Sequence, residues 1–177
     1  MENGDEFSEW AQYYDAMYSD RDEDVEFYLD EMEKTDGEVL EIGCGTGRIY
    51  LKALEKRIDI YGFDVSEDML DELRKKADKR DLNPKVKTAD MTEFSYDKEF
   101  SLIIIPFRTF LHNLTAEEQI KTLKNCREHL KESGRLILNF YIPNFEIITQ
   151  QNEDIDETEI EINGEAYTRK VTVEWES

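Results

Sequence analysis

The sequence predicts an α/β domain whose mainly parallel sheet lies between two layers of helices. Along residues 38–141, short apolar segments of strand length alternate with longer segments that have the 3.6-residue periodicity of amphipathic helices. Parallel strands need crossover connections, and helices provide them on both faces of a sheet. A glycine-rich loop follows the first predicted strand. Ligands of such sheets bind outside the carboxyl ends of the strands, so the pattern also predicts the edge where a ligand binds.

The first elements lead from acidic helices into the glycine-rich loop. Residues 7–33 carry apolar side chains at three- and four-residue steps, which predicts two amphipathic helices joined near 19–21. A short apolar strand over 38–42 follows. The loop at 43–47 comes next, and the periodicity predicts a helix over 48–56.

The second strand and the helix after it have clear boundary signals. The strand is predicted over 58–63 and is closed by Asp64. Ser66 is a favourable N-cap, because its hydroxyl can accept a backbone N–H of the first helical turn. A short third strand is predicted over 86–89, and Asp90 follows it directly.

The second half of the sheet is predicted from one long apolar run and one capping motif. Residues 100–105 are continuously apolar, as expected of a central parallel strand that is covered on both faces. Thr115 and Glu118 form a capping box that begins a helix, and Gly134 is its predicted C-cap. A further buried strand is predicted over 135–141. The predicted buried stripe of the helix consists of Ala116, Ile120, Leu123, Cys126 and Leu130.

The carboxyl-terminal part of the chain predicts a β-hairpin. Two strand-like segments, 157–162 and 165–175, are separated by Asn163 and Gly164 alone. An Asn-Gly pair suits a type I′ turn, in which both central residues have positive φ.

The net charge of -21 is concentrated in the two flanking segments. Residues 1–38 carry a net charge of -13 and residues 146–177 a net charge of -8, whereas residues 39–145 are neutral. No part of the chain offers a stripe of basic residues. This distribution argues against binding to a nucleic-acid backbone.

The two cysteines and the apolar segments predict a cytoplasmic protein. Cys44 and Cys126 lack metal-ligand spacing, which indicates buried reduced thiols rather than a metal site. No apolar run approaches the ~18 residues that a membrane helix needs. The acidic start lacks the features of a signal peptide.

Acidic residues end three of the predicted strands, and their positions suit a nucleoside ligand. Glu41 precedes the glycine-rich loop, and Asp64 at the end of the second strand is placed to accept both hydroxyls of a ribose. Asp90 at the end of the third strand can accept from the exocyclic amine of an adenine. A nicotinamide dinucleotide is the rival ligand, but its fingerprint requires glycine where Arg48 stands. Glu41 would also oppose a phosphate and favour a cation.

These residues resemble the motifs of class I S-adenosylmethionine-dependent methyltransferases of the small-molecule type. The segment from Val39 to Arg48, Val-Leu-Glu-Ile-Gly-Cys-Gly-Thr-Gly-Arg, is similar to the family's first motif. Residues 61–70, 89–91, 100–107 and 129–138 resemble the motifs of the next four strands. The resemblance implies a Rossmann-like three-layer sandwich as a single domain over 1–177. Its parts would be a helical lid at 1–37, a cofactor-binding core at 38–145 and an acidic hairpin extension at 146–177.

By this resemblance, S-adenosyl-L-methionine is the cofactor. Glu41 and the loop backbone would hold its methionine moiety, Asp64 its ribose and Asp90 with Met91 its adenine. The pair Tyr13-Tyr14 resembles a tyrosine motif that closes over the cofactor. The implied cofactor-binding residues are Tyr14, Glu41, Gly43, Cys44, Gly45, Gly47, Asp64, Val65, Met69, Ala89, Asp90, Met91 and Ile105.

The methyl acceptor is a small molecule by the same resemblance, and its binding residues are expected after the fourth strand. Phe107 and Arg108 could bind it, and Phe110 could line an aromatic pocket with Tyr13 or pack in the core. His112 is a candidate general base, with a structural role as the alternative. The motifs of nucleic-acid methyltransferases at this position are absent.

The resemblance implies a sixth and a seventh strand, but too few residues follow the fifth predicted strand, so we expect both to be missing. This leaves two functions open. One is an S-adenosylmethionine-dependent methyltransferase with a small-molecule acceptor, no nucleic-acid partner and no membrane partner. The other is a non-catalytic module that binds the cofactor or a protein partner.

Overall fold

The computed structural model describes residues 22–140, 154–162 and 165–172. The helices and strands are α1 (Val25–Glu33), β1 (Val39–Ile42), α2 (Tyr50–Glu55), β2 (Ile60–Asp64), α3 (Glu67–Asp78), β3 (Lys85–Thr88), β4 (Phe100–Ile105), a 3₁₀ turn (Thr109–His112), α4 (Ala116–Glu128), β5 (Leu130–Leu138), β6 (Asp154–Ile162) and β7 (Glu165–Thr172). None of the helices in these ranges is long and apolar enough to cross a membrane. The helix predicted before 19–21 and the Asn163-Gly164 turn lie outside the described residues.

Strands β1 to β5 form one parallel sheet in the order β3-β2-β1-β4-β5. The order reverses beside β1, because the chain moves outward to β2 and β3 and then returns to pair β4 with the other side of β1. All four residues of β1 are buried. The predicted alternation of strands and helices is confirmed, and the glycine-rich loop lies at the point where the strand order reverses.

The two faces of the sheet bury separate apolar cores. Side chains alternate between the faces along a strand, so Val39 and Leu40 belong to opposite cores. The first core packs α1, α2 and α3 against the sheet and includes the fully buried Tyr50 and Leu73. Glu41 follows the same alternation and shares the face of Val39. A carboxyl group therefore lies on the face that the first three helices cover.

The connection between β3 and β4 contains no helix and covers the second face with aromatic side chains. Phe94 packs on Phe63 with ring centroids 4.9 Å apart, and Tyr96 packs edge-on against Phe100 at 5.3 Å. The backbone N–H of Tyr96 donates to Nε2 of His129 over 3.1 Å. His129 therefore has a structural role, since its ring fixes the link to the end of α4.

The buried stripe predicted for α4 is wrong at three of its five positions, whereas Cys126 and Leu130 are buried as predicted. The capping box of Thr115 and Glu118 is present, but Ile120 is 53% exposed and Leu123 is 39% exposed. Ala116 is exposed as well, and Leu130 begins the next strand. The helix turns Cys126 and the unpredicted Thr122 toward the sheet, both fully buried. In this orientation the hydroxyl of Thr122 donates to the buried side chain of Asn113.

The last strand of the sheet begins earlier and is less buried than predicted. It starts at Leu130, and Gly134 lies inside it rather than capping α4, whose C-cap is His129. Pairing with β4 jumps from Phe100–Leu130 to Leu102–Arg135, which leaves the residues between them out of register. Leu136 to Leu138 are half-buried because β5 lies at the edge, and no described strand pairs with its outer side.

The predicted hairpin is confirmed as an antiparallel pair. Strands β6 and β7 form a separate two-stranded sheet in which Ile162 pairs with Glu165. This register leaves two residues for the turn, the length for which the Asn-Gly signal is typical.

We expect substitution of the exposed apolar residues of α4 to leave stability almost unchanged. Ile120→Gln should alter the unfolding free energy by less than about 0.5 kcal/mol, because its side chain already contacts water. Leu70→Ala should lower it by about 2–5 kcal/mol, since Leu70 is fully buried. Urea unfolding followed by circular dichroism measures both. A large loss with Ile120→Gln would show that this face of α4 is covered.

Candidate active site

Three acidic residues from separate strands meet at one edge of the sheet. Glu41 is in register with Gly62, two residues before Asp64 at the end of β2. The backbone N–H of Ala89 donates to the carbonyl of Asp64 over 3.0 Å and brings Asp90 to the same edge. The sequence-predicted strand ends are therefore brought together, with the glycine-rich loop beside them.

The glycine-rich loop is tied to β2 by its own backbone. The N–H groups of Gly43 and Cys44 both donate to the carbonyl of Phe63, over 2.9 and 3.0 Å. Gly43, Gly45 and Gly47 all have positive φ, at 70°, 50° and 93°. Only glycine adopts this backbone region at little energetic cost, so the sequence of the loop determines its path.

The three glycines differ in the space beside them. A Cβ at Gly43 would collide with the side chain of Thr109, and one at Gly47 would approach Leu51 to 2.7 Å. At Gly45 the nearest atom would be Oδ2 of Asp64, 4.0 Å away. Gly45 is therefore the loop position where a ligand can approach the main chain without obstruction.

Asp64 is oriented by backbone donors on both of its oxygens. Oδ2 accepts the N–H of Gly45 over 2.9 Å, and Oδ1 accepts the N–H of Ser66 over 3.0 Å. Burial raises the pKa of Asp64, while these N–H groups and the nearby His112 oppose the rise. The carboxyl group is half-buried, so its position is defined while part of it still faces the edge of the sheet.

Glu41 is the least favourably placed ionisable group of the site. It is 2% exposed, and its Oε2 has no hydrogen-bond partner among the described residues. Burial raises the pKa of Glu41 to about 8, with Asp64 and Asp24 adding to the rise and Arg48 opposing it. A buried carboxyl oxygen without a donor is destabilising. It is suited to a ligand that brings a cationic donor.

An ion pair missed by the sequence analysis lies behind Glu41. Arg48 makes a two-pronged contact with Asp24, the N-cap residue of α1, with the second N–O distance at 3.0 Å. Burial, together with Asp24 and Glu41, raises the pKa of Tyr28 to about 12. The position of Arg48 directly after the glycines was visible in the sequence, but its partner is 24 residues away. No local pattern could reveal this pair.

The residues predicted to contact adenine begin an exposed turn after β3. Oδ1 of Asp90 accepts the N–H and the hydroxyl of Thr92, over 2.6 and 2.7 Å. Sδ of the adjacent Met91 accepts a hydrogen bond from Nδ2 of Asn113 over 3.1 Å. Asn113 is a second residue that the sequence analysis missed, since an asparagine between a histidine and a leucine carries no signal of a contact with Met91.

The segment after β4, where the acceptor-binding candidates lie, contains a strained residue. Phe107 has a φ of 59°, which side-chain-bearing residues rarely adopt, and strain of this kind is concentrated at functional sites. Guanidinium groups of Arg48 and Arg108 lie 5.6 and 5.5 Å from its ring centre. His112 is exposed at the end of the 3₁₀ turn, whereas Phe110 is 8% exposed and packs in the second core.

The remaining candidate residues are mostly buried. Cys44, Met69 and Ile105 are at most 3% exposed, whereas Val65 is 36% exposed at the edge of the sheet. Tyr13 and Tyr14 lie outside the described residues. Within the described ranges, no cluster of three or more His, Cys, Asp or Glu side chains could hold a metal ion.

The chain is similar to known methyltransferases. A family model described as a methyltransferase domain matches residues 39–134. An uncharacterized methyltransferase of Staphylococcus carnosus is 27% identical over 146 residues, which cover 78% of this chain and 67% of the relative. The cypemycin N-terminal methyltransferase of a Streptomyces species is 31% identical over 101 residues, 57% of this chain and 40% of the relative.

Another relative and two solved structures extend the comparison. A dTDP-3-amino-3,4,6-trideoxy-alpha-D-glucopyranose N,N-dimethyltransferase of Streptomyces venezuelae is 30% identical over 101 residues, 56% of this chain and 40% of the relative. The structure of DesVI from the same species superposes with a TM-score of 0.75 at 22% identity, covering 93% of this chain and 70% of that one. The structure of the glycopeptide N-methyltransferase MtfA complexed with S-adenosyl-L-methionine superposes with a TM-score of 0.61 at 21% identity. The match covers 85% of this chain and 65% of that one.

We expect Glu41→Gln to stabilise the ligand-free protein at alkaline pH. The carboxyl ionises near pH 4.5 in the unfolded chain but near pH 8 in the folded one, so the folded state binds more protons between these values. Stability should therefore fall as pH rises through that window. Glutamine cannot ionise, so the variant's advantage should grow to roughly 3–5 kcal/mol at pH 8.

Thermal or urea unfolding at pH 5, 6, 7 and 8 measures this difference between the variant and the natural sequence. Glu117→Gln, which replaces an exposed carboxylate in the first turn of α4, is the matched control and should show no such growth. A difference that is independent of pH would contradict the buried, protonated state of Glu41.

Proposed function

The chain belongs to the methyltransferase domain family, and from that membership we propose that it transfers a methyl group from S-adenosyl-L-methionine to a small-molecule acceptor. The observation that carries this proposal is the unpartnered Oε2 of Glu41 near the open side of Gly45. A sulfonium amino acid brings the cationic donor that this carboxyl lacks. The orphaned oxygen and the free space beside the loop thus fit the cofactor.

Three sets of side chains would hold the cofactor. Glu41 would accept from its amino group, and Asp64 would accept from its ribose hydroxyls. Asp90 and Met91 would contact its adenine from the end of β3. When bound, the cofactor supplies an electrophilic methyl group for an in-line displacement, and the protein's contribution is proximity, alignment and exclusion of water.

The state of Glu41 couples binding to protonation. Near neutral pH the buried carboxyl of the ligand-free protein retains its proton, because burial raises its pKa to about 8. A cationic amino group beside it favours the ionised form, so Glu41 would release this proton on binding. Arg48 limits the energetic cost, since it opposes the pKa rise.

The acceptor would bind at the carboxyl end of β4. Phe107 and Arg108 lie there, and His112 at the end of the 3₁₀ turn would act as a base if the acceptor needs deprotonation. Tyr13 and Tyr14, from the helical lid at 1–37, would close the site. In this proposal residues 38–145 form the cofactor-binding core and residues 146–177 an extension.

The relatives and the charge distribution support a small acceptor that carries an amino group. The names of two relatives specify methylation of a peptide N-terminus and of an amino sugar. Residues 1–38 carry a net charge of -13, which would attract a cationic amine to the site. The same acidity disfavours nucleic acids. Because Cys44 and Cys126 are free thiols, we place the activity in the cytoplasm.

The chain spans 67% of the length of the first relative and 40% of the other two. Methyl transfer by this chain must therefore be measured directly. Calorimetric titration with S-adenosylhomocysteine tests binding. Release of this product during incubation with S-adenosylmethionine and panels of amines, acids and phenols tests transfer. Turnover with an amine supports the proposal. Binding without turnover by any acceptor would instead support the non-catalytic module.

We expect Asp64→Ala to weaken binding of S-adenosylmethionine by about 1–3 kcal/mol, roughly 5- to 150-fold. The variant removes the acceptors proposed for the ribose hydroxyls and also the oxygen that accepts the N–H of Gly45. Calorimetry with the folded variant measures the change. Unaltered affinity would contradict the assignment of the ribose to Asp64.

We expect Gly45→Val to abolish cofactor binding while leaving the sheet folded. Its side chain would occupy the space beside the loop that the ligand needs, in a backbone conformation that valine rarely adopts. Asp81→Val is the matched control, because Asp81 is exposed, has a φ of 55° and follows the far end of α3. The control carries the same backbone strain but should bind normally. Normal binding by Gly45→Val would show that the ligand lies elsewhere.

A further inference from the structure

The link between β3 and β4 carries the proposed adenine contacts but has no regular secondary structure of its own. Three side chains from the segment around α4 hold it at successive points. Nδ2 of Asn113 donates to Sδ of Met91, Nδ2 of Asn125 donates to the carbonyl of Phe94 over 3.0 Å, and His129 accepts the N–H of Tyr96. Only the first of these contacts reaches a residue that would touch the cofactor.

Asn113 is held firmly from several sides. It is 4% exposed, and Nδ2 also donates to the carbonyl of Phe110 over 3.2 Å. Oδ1 accepts the hydroxyl of Thr122 over 3.2 Å, and the backbone carbonyl accepts Nε2 of Gln119 over 3.1 Å. Each group of this side chain has a partner, so its orientation is defined before any ligand binds.

Burying Asn113 and Thr122 lowers stability relative to apolar side chains that would fill the same volume. Apolar residues of the same shape would fill this volume without the desolvation penalty of the polar groups. What the polar pair adds is direction, because an amide whose oxygen is fixed by Thr122 aims its N–H bonds at the carbonyl of Phe110 and at one further acceptor. That acceptor is the sulfur of Met91, three rotatable bonds from its backbone.

We propose that Asn113 is a positioning residue, which fixes the side chain of Met91 and thereby sets the protein's selectivity for adenine. The inference rests on the proposed function, in which Asp90 and Met91 contact the adenine. A Met91 side chain held in one position restricts how the base can lie beside Asp90, so Asn113 should act on the discrimination between bases and on affinity rather than on methyl transfer.

The test compares Asn113→Ala, Met91→Leu and the double variant. S-adenosylhomocysteine and S-inosylhomocysteine are the probes, since the second carries oxygen in place of the exocyclic amine. We expect each single variant to lower the ratio of the two affinities by about 3- to 10-fold, the effect of losing one hydrogen bond. The double variant should lower it no further, because both changes break the same contact. The KM for S-adenosylmethionine should rise while kcat changes little.

Asn125→Ala is the matched control, since it cuts a second tether of the same link without touching Met91. The Asn125→Ala variant should lower thermal stability but leave the ratio of the two ligand affinities unchanged. An unchanged ratio in Asn113→Ala, with both ligands bound more weakly to the same extent, would overturn the proposal and leave Asn113 a structural role. If Asn113→Ala does not fold, Met91→Leu decides the question, because leucine preserves the volume and removes only the acceptor.

Methyl NMR of the ligand-free protein separates this inference from the proposed function. The Met91 methyl resonance, assigned from its loss in Met91→Leu, should shift and broaden in Asn113→Ala but not in Asn125→Ala. An unshifted resonance would overturn the positioning contact itself. Failure of the natural sequence to bind S-adenosylhomocysteine would overturn the proposed function and the adenine role with it.

Discussion

The site depends on one buried carboxyl group that the described residues leave partly unsatisfied. Glu41 lies in the central strand, on the face covered by the first three helices, and its Oε2 has no partner among the residues described. Burying such a group lowers stability unless a hydrogen-bond donor pairs with it. In the proposed function, a bound ligand provides this donor. The preference for a cationic ligand over a phosphate follows from the same group.

The surroundings of Glu41 balance this penalty rather than remove it. Asp64 and Asp24 raise the pKa of the carboxyl, and Arg48 opposes them. Arg48 is itself anchored by Asp24 at the start of α1, and its guanidinium lies over the ring of Phe107. The side chain of Arg48 therefore connects the N-terminus of α1, the glycine-rich loop and the strained Phe107 after β4. A change in any of these three would be transmitted to the electrostatics of Glu41.

The opposite face of the sheet is built differently, and this difference positions the residues proposed to contact adenine. A helix is absent between β3 and β4, so aromatic rings of the link cover the sheet, and side chains from the region of α4 hold the link in place. The rotation of α4 that places Thr122 inward leaves Ile120 and Leu123 exposed. Polar contacts, and not the apolar stripe, therefore decide how this helix sits. In the proposed function, this helix would influence the adenine contacts of Met91 through Asn113.

The sequence by itself determined the parts of this protein that depend on local chemistry. Glycines that must adopt positive φ, the caps at Ser66 and Thr115, and apolar runs of strand length are each recognisable without knowledge of their neighbours. They were sufficient to predict the parallel sheet, the glycine-rich loop and the meeting of three acidic strand ends at one edge. The hairpin register followed from its two-residue turn.

Only the tertiary structure decided which partners these residues have. The ion pair of Arg48 with Asp24 and the contact of Asn113 with Met91 join residues 24 and 22 positions apart, a distance at which no local pattern exists. The exposure of Ile120 and the start of β5 at Leu130 depend on what covers one face of a helix and one edge of a sheet. Periodicity identifies an apolar stripe, but the free energy of the packed whole determines which stripe is buried.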